Sequence, residues 1–441
     1  MSLTGLVFVA IFIGFSGIAL LRNPMYGLYL YVAVFYLDPP GRWWGHALPD
    51  LRWSLISAII AVVAVLIHGG GSRSPVFGKG PAALLLLFVV WMWVQVPWVV
   101  EPESHWYGLS IFTKYLVVVF LIYALVDSRE RLAGFLLCHG LGCLYLGYVA
   151  WTTNEGGRLD GVGGPGINDA NSLAMQLGTG VYAAAAYYFA QSRWQRYLSL
   201  LIVPFVLNGL ILAGSRGGFL ALIAGGVAFF VCRPPRKLHV ALAYGILAIC
   251  ALGYVASDFF WDRVKTIGAV SNQEAEIDHS ARTRLVLLGI QWQMALDYPL
   301  GAGHDGTTAL SYTYVPEEYH SSGTGRSSHN TLMSSLVDQG FLGLLIWASI
   351  MGMLWFRLRR HRRLAAKAAD PALGWLIAGL AAMFSVVTVA GLFAPLIRTE
   401  VYIWILALAC SLDRYGVAAS TNLKTEAPPI ANRVRDVSLA G

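Results

Sequence analysis

The sequence predicts an all-α, polytopic integral membrane protein with about 12–13 transmembrane helices and one long external loop. Three observations carry that reading. Only 12% of the 441 residues are charged and 57% are hydrophobic, whereas soluble domains carry roughly 25% charged residues. Mean hydropathy is +0.60. The apolar residues gather into successive blocks of about 16–22 residues, the length needed to cross about 30 Å of hydrocarbon.

In chain order the blocks fall at about 4–21, 25–38, 53–67, 81–100, 109–126, 132–152, 172–190, 197–213, 217–232, 238–255, 334–356, 373–392 and 396–412. The second and third are short, which is why the span count is a range. Met1 to Leu20 has no basic n-region and no cleavage site, so it reads as a span and not as a removable signal peptide. The loops alternate in charge. One set holds Arg73 and Lys79, Arg129 and Arg131, Arg193 and Arg196, Arg233, Arg236 and Lys237, and the run Arg357, Arg359, Arg360, Arg362, Arg363 and Lys367. The short loops of the other set hold Arg42 with Arg52, and single arginines at Arg158, Arg216 and Arg398. Basic loops stay in the cytoplasm, so the 256–330 loop is external. Topology accounts for the net charge of +7, and nucleic acid is not needed as a partner. The 357–367 run has an alternative reading as a patch for anionic membrane lipid.

The organisation is one membrane domain, 1–420, followed by a polar, proline-containing cytoplasmic tail at 421–441 that reads as disordered. Cys138, Cys143, Cys232, Cys250 and Cys410 all lie in or at the ends of apolar blocks, which suits packing and offers no disulfide framework. Inside the external loop, Leu285, Leu288, Trp292 and Ala295/Leu296 recur at helical spacing. They predict an amphipathic helix over 283–297, lying on the membrane or on the bundle. Tyr298-Pro299-Leu300-Gly301 ends it, as a proline predicts. The Gly/Ser/Tyr-rich stretch 301–327 then covers something or flexes, as loops of that length do.

These motifs, in this order, resemble a known family. Arg284 is followed by DYPLGAG at 297–303, then Ser328-His329-Asn330, then DQGFLGLL at 338–345. Together they are similar to the signature region of the O-antigen ligase/O-antigen polymerase superfamily. Ser215-Arg216-Gly217-Gly218 and GRLDGVGGPGINDANSLA at 157–174 fit its upstream motifs, and NPMYGLYLYVAVFYLDPP at 23–40 resembles the branch of O-glycosylation ligases that accompany exosortase systems. Leu288 is a departure, standing where the family often has an aromatic. The resemblance implies a bacterial cytoplasmic-membrane glycosyltransferase working on the external face. Its donor would be an undecaprenyl-diphosphate-linked glycan and its acceptor a hydroxyl on a lipid, glycan or protein. Polymerase and protein O-glycosylation versions stay open, and so does a flippase of lipid-linked glycans, which would show broken helices with midplane charges and repeat symmetry.

The chemistry can be judged on the residues. As the glycosidic bond breaks, negative charge grows on a diphosphate, and fixed cations should be aimed there. Guanidinium suits that position because it stays charged and grips phosphate oxygens in pairs. No Asp-x-Asp pair that could hold a divalent metal occurs, so neither metal nor cofactor is expected. Arg216 and Arg284 are the leading clamp residues, against the alternatives of an interfacial anchor and a polar cap on the amphipathic helix. His329 is the candidate base for the acceptor proton, against an exposed loop histidine. Arg158, Arg398, Lys114, Arg326 and Asn330 are further substrate-binding candidates, Lys114 because a lysine inside a span is costly unless paired or facing a cavity. His46, His105, His279, His304 and His320 default to the surface. Asp169 and Asn171 read as a cap for the seventh span.

Overall fold

The structure is a computed structural model. It describes residues 2–69, 75–78, 80–156, 159, 162–167, 169–191, 194–234, 276–319 and 328–425, with backbone alone at 276–285 and 416–425. Every regular element among these residues is helical: α1 (Leu3–Leu21), α2 (Met25–Leu37), α3 (Trp53–His68), α4 (Pro81–Gln95), α5 (Pro102–Leu125), α6 (Arg129–Thr153), α7 (Ala170–Ala190), α8 (Ile202–Ala213), α9 (Arg216–Cys232), α10 (Glu276–Asp297), α11 (Gly306–Tyr314), α12 (Thr331–Lys367), α13 (Pro371–Ala390) and α14 (Glu400–Thr425). Among the described residues seven helical stretches are long and apolar enough to cross a membrane, and α3 and α9 are shorter apolar helices. The expected span at 238–255 lies outside the described residues. α14 runs to Thr425, past the expected start of the tail, and the rest of that tail also lies outside them.

Helices α6, α7, α8, α9 and α13 pack as one group, while α14 lies on α5 and α12 on α4. Small residues permit the closest crossings, as expected where helices gain by close packing. A Cβ on Gly147 of α6 would lie 2.3 Å from the Phe205 carbonyl oxygen of α8. The polar groups inside this core satisfy one another. Tyr36 meets His139 Nδ1 at 2.6 Å, and His139 Nε2 meets Thr179 Oγ1 at 3.1 Å. Cys143 and Cys410 are buried and Cys138 half-buried among the core helices, and all are free thiols.

The chief irregularity is in α12. Gly340 has φ 69 and ψ −176, which breaks the helix between Gln339 and Phe341. The segment after α10 crosses the gap. Ala302 and Gly303 donate to the carbonyls of Val337 and Asp338, Phe341 donates to the Pro299 carbonyl, and Gln95 reaches Leu300 at 2.9 Å. The backbone groups freed by the break are thus paired within the protein, the condition for irregular backbone at membrane depth. Asp338 caps α11 from a distance, accepting from Thr307 N and Oγ1 at 2.8 and 2.7 Å and from Asp305 N at 3.2 Å. Within the stretch read as a covering or flexing loop, 301–327, residues 320–327 lie outside the described residues and the earlier part is ordered. Its first residues, 301–304, are buried backbone, and α11 follows them.

The amphipathic helix is present, but its buried stripe differs from the expected one. Leu287, Gln291, Met294 and Ala295 face the protein, whereas Trp292 and Leu296 are about half exposed. Trp292 meets Phe341 edge-on at 6.1 Å. One face therefore packs on α12; of the residues expected on the apolar side, Ala295 is buried with it and Leu288 is half-buried, while Trp292 and Leu296 lie at its exposed edge.

Candidate active site

The site is built around the 391–399 segment that joins α13 to α14. Thr331, at the start of α12, donates its N–H to the Gly391 carbonyl at 2.7 Å and its hydroxyl to the Ala394 carbonyl at 2.6 Å. Leu396 N donates back to the same hydroxyl at 2.8 Å. His329 stands two residues before this anchor, with its side chain exposed. Asn330 is the N-cap of α12, its Oδ1 accepting from Leu332 N and Met333 N. Ser328 is buried and donates to Gln291 of α10 at 3.3 Å. Arg284 is two turns earlier in that same helix, about 10 Å by helical rise. Its side chain, like Arg158 and Arg326 altogether, lies outside the described residues.

Arg216 joins from the other side. Ser215 caps α9 by accepting from Gly218 N, and it donates to Asn171 Oδ1 at 2.7 Å. Asp169 caps α7 as the sequence predicts, but its partner in the capping box is Ser172, while the Asn171 side chain accepts from Ser215. Gly217 abuts the ring of Phe393, so any Cβ there would come within 2.7 Å of that side chain. The turn carrying Arg216, the turn carrying His329 and the segment carrying Arg398 therefore meet at 391–399. Arg216 is half-buried, and Arg398 is exposed.

This meeting point is recessed. Tyr115 donates its hydroxyl to the Arg398 carbonyl at 2.5 Å. Tyr115 lies thirteen residues beyond Pro102 at the start of α5, about 20 Å along the helix. Glu400, beside Arg398, accepts from Tyr31 at 2.5 Å and from Trp404 at 3.0 Å. Beneath His329 and Arg398, a cavity between α12, α13 and α14 is lined mainly by apolar groups, including Leu332, Trp347, Val387 and Leu396.

Two histidines expected on the surface are buried, at 0% exposure for His105 and 4% for His304. His105 Nε2 faces the Met92 carbonyl at 2.9 Å, and its Nδ1 accepts from His304 N at 2.9 Å. Accepting at Nδ1 and facing a carbonyl at Nε2 requires the neutral Nε2–H tautomer. The pair pins the crossing segment to α5. Burial, helped by the nearby Arg398 and His105, pushes His304 down to about 3. Only apolar context distinguishes such a histidine from a surface one, and the GAGHDG string does not show it. Glu400 is not singled out from the sequence, although a lone carboxylate opening an apolar block is the signal that marks it. Lys114 is not brought into the cluster; its side chain is exposed on α5. No group of three or more His, Cys, Asp or Glu side chains converges among the described residues.

Residues 200–348 match the family described as O-antigen ligase. Comparison with curated proteins finds no match. The matched region contains Arg216, Arg284, His329 and the Gly340 break, and it ends before Arg398. At family level this supports ligase-type glycosyl transfer in a multi-pass membrane protein, between a lipid-linked glycan and an acceptor.

Proposed function

We propose that the protein transfers a glycan from an undecaprenyl diphosphate carrier to an acceptor hydroxyl at the external face of the bacterial cytoplasmic membrane, without a metal. The observation that carries the reading is the convergence of Arg216, His329 and Arg398 on 391–399, recessed below the start of α5. His329 takes the proton from the acceptor hydroxyl, for which imidazole is suited near neutral pH. The acceptor oxygen bonds to the anomeric carbon as the bond from that carbon to the phosphate oxygen breaks. The electron pair leaves with the diphosphate, and Arg216, Arg398 and Arg284 hold its growing charge. The apolar cavity beneath suits the hydrocarbon beside that headgroup.

The broken α12 is the feature a flippase would share. Here the gap is filled by the 299–303 backbone and is not open to a translocated ligand. That favours the enzyme. The test is the purified protein in proteoliposomes with a defined diphosphate-linked donor and defined acceptors, in EDTA. Glycosylated acceptor and free polyprenyl diphosphate are expected. Donor crossing the bilayer with no product would overturn the reading, and loss of transfer in EDTA with rescue by Mg²⁺ would overturn its metal independence.

A further inference from the structure

Within the spanning helices, the ionisable groups His105, His139, Asp338 and Glu400 all have partners. Lys114 differs. It lies twelve residues beyond Pro102 in the 24-residue α5, and five residues, about 8 Å along the helix, inside the apolar block that begins near 109. Its side chain is exposed, and no ion pair or hydrogen bond engages it among the described residues. Trp106, Val117 and Phe120 are exposed on the same helix, and Trp93 of α4 packs edge-on against Trp106 at 5.4 Å. This is a face of the kind that meets lipid. A lysine at that depth meets the outer headgroup level only by stretching along the helix, and it is unfavourable there without a counter-charge or water.

Two further observations give it a context. Glu103, Tyr107, Ser110 and Lys114 are spaced by four, three and four residues and are all exposed, which makes one polar stripe from the start of α5 to the lysine. Ser110 turns its hydroxyl back onto the Tyr107 carbonyl, and Glu103 is about 16 Å away along the helix, too far to pair with Lys114. The next residue, Tyr115, holds the Arg398 carbonyl. Lys114 on the outer surface of α5 and Arg398 behind it therefore stand at one depth.

We propose that Lys114 is a lateral phosphate-binding position, where the diphosphate headgroup of the lipid-linked donor is held at the level of Arg398 before it passes into the site. This rests on the donor class proposed above. Phosphate is the anion a membrane-borne substrate would bring to that depth, and an ammonium binds it as a point charge.

The test compares Lys114→Met and Lys114→Arg with wild type in proteoliposomes, varying the donor. Lys114→Met adds no polar group to the span, so folding should be kept. It should raise KM for the donor about fivefold, the effect of one basic residue near a lipid headgroup, with kcat little changed. Lys114→Arg should restore KM. A photo-crosslinker at Val117, with Lys114 intact, should capture the donor. An unchanged KM in Lys114→Met, or no capture at 117, would overturn the proposal. So would a wild-type KM that climbs with added phosphatidylglycerol while that of Lys114→Met does not, because an ordinary phospholipid would then be the occupant. If Lys114→Met behaves normally while Arg216→Ala loses transfer, the lateral position fails and the site reading stands. If wild type itself transfers nothing from a diphosphate-linked donor, the site reading fails.

Discussion

The two ends of the helix bundle use their arginines differently. At the basic end the cations meet carboxylates of the protein itself. Arg357 lies 2.9 Å and His361 2.8 Å from Asp413, Arg131 lies 3.1 Å from Asp127, and Arg129 lies 3.3 Å from Asp370. These contacts join α12 to α14 and the start of α6 to the start of α13. At the site end, Arg398 is exposed, and among the described residues only its backbone carbonyl is engaged. The neighbouring carboxylate, Glu400, is already covered by Tyr31 and Trp404. The difference is one of partners: paired cations close the fold at the basic end, while the Arg398 side chain at the other end is exposed.

The largest expected effect is at the base. His329→Ala should leave folding and donor binding intact and reduce transfer by about 10²–10⁴-fold, the usual range for lost general acid–base help. Near-normal turnover of the purified variant would remove His329 from that role. Next come the cations. Arg398→Ala should lower kcat by about 10²–10³-fold, as for other lost electrostatic donors, and lysine should rescue it poorly because it cannot grip two oxygens. By contrast, Asp413→Asn at the basic end should cost stability, because half-buried Asp413 accepts from the mostly buried Arg357 and His361 side chains. It should leave transfer unchanged in the same assay. A strong loss of transfer in Asp413→Asn would blur the contrast between the ends.

Two stability predictions sharpen it. Gly340→Ala must place a Cβ 2.5 Å from Pro299 O and the Leu300 carbonyl carbon, at a φ of 69. It should destabilise by more than about 2 kcal/mol, read as early thermal unfolding in detergent. His304 makes the pH dependence one-sided. Its ordinary value is 6.5 and its folded value about 3, so between the two the unfolded chain binds the extra proton. Stability from this group is fully present above about pH 6.5 and is lost as pH falls toward 3, by up to about 1.4 kcal/mol per pH unit. His304→Gln should flatten that slope; an unchanged slope would mean that other groups set it.

Much of this was legible in the sequence, for identifiable reasons. The apolar blocks, the Asp169 cap and the proline stop after Asp297 follow from local rules that the fold respects. The DYPLGAG and DQGFLGLL strings were recognisable as a pair, but not why they pair. The reason is tertiary: Gly340 opens the helix and residues 299–303 fill it. Leu288 and Trp292 kept helical spacing but not the buried stripe, because Gln291 is buried to meet Ser328. A polar residue on the core face hides from a hydrophobic pattern. His304 was missed for the opposite reason: its burial comes from α5, two hundred residues earlier.

The most direct test of a single shared site is a double-mutant cycle on Arg216 and Arg398, with transfer from a lipid diphosphate donor as the readout. Residues that hold one ligand couple, while distant independent ones add. If both guanidinium groups grip the same diphosphate, the double alanine variant should be worse than either single variant, but by clearly less than the product of their effects. A loss equal to that product would mean that the two arginines act separately, and that the convergence at 391–399 is not one active site.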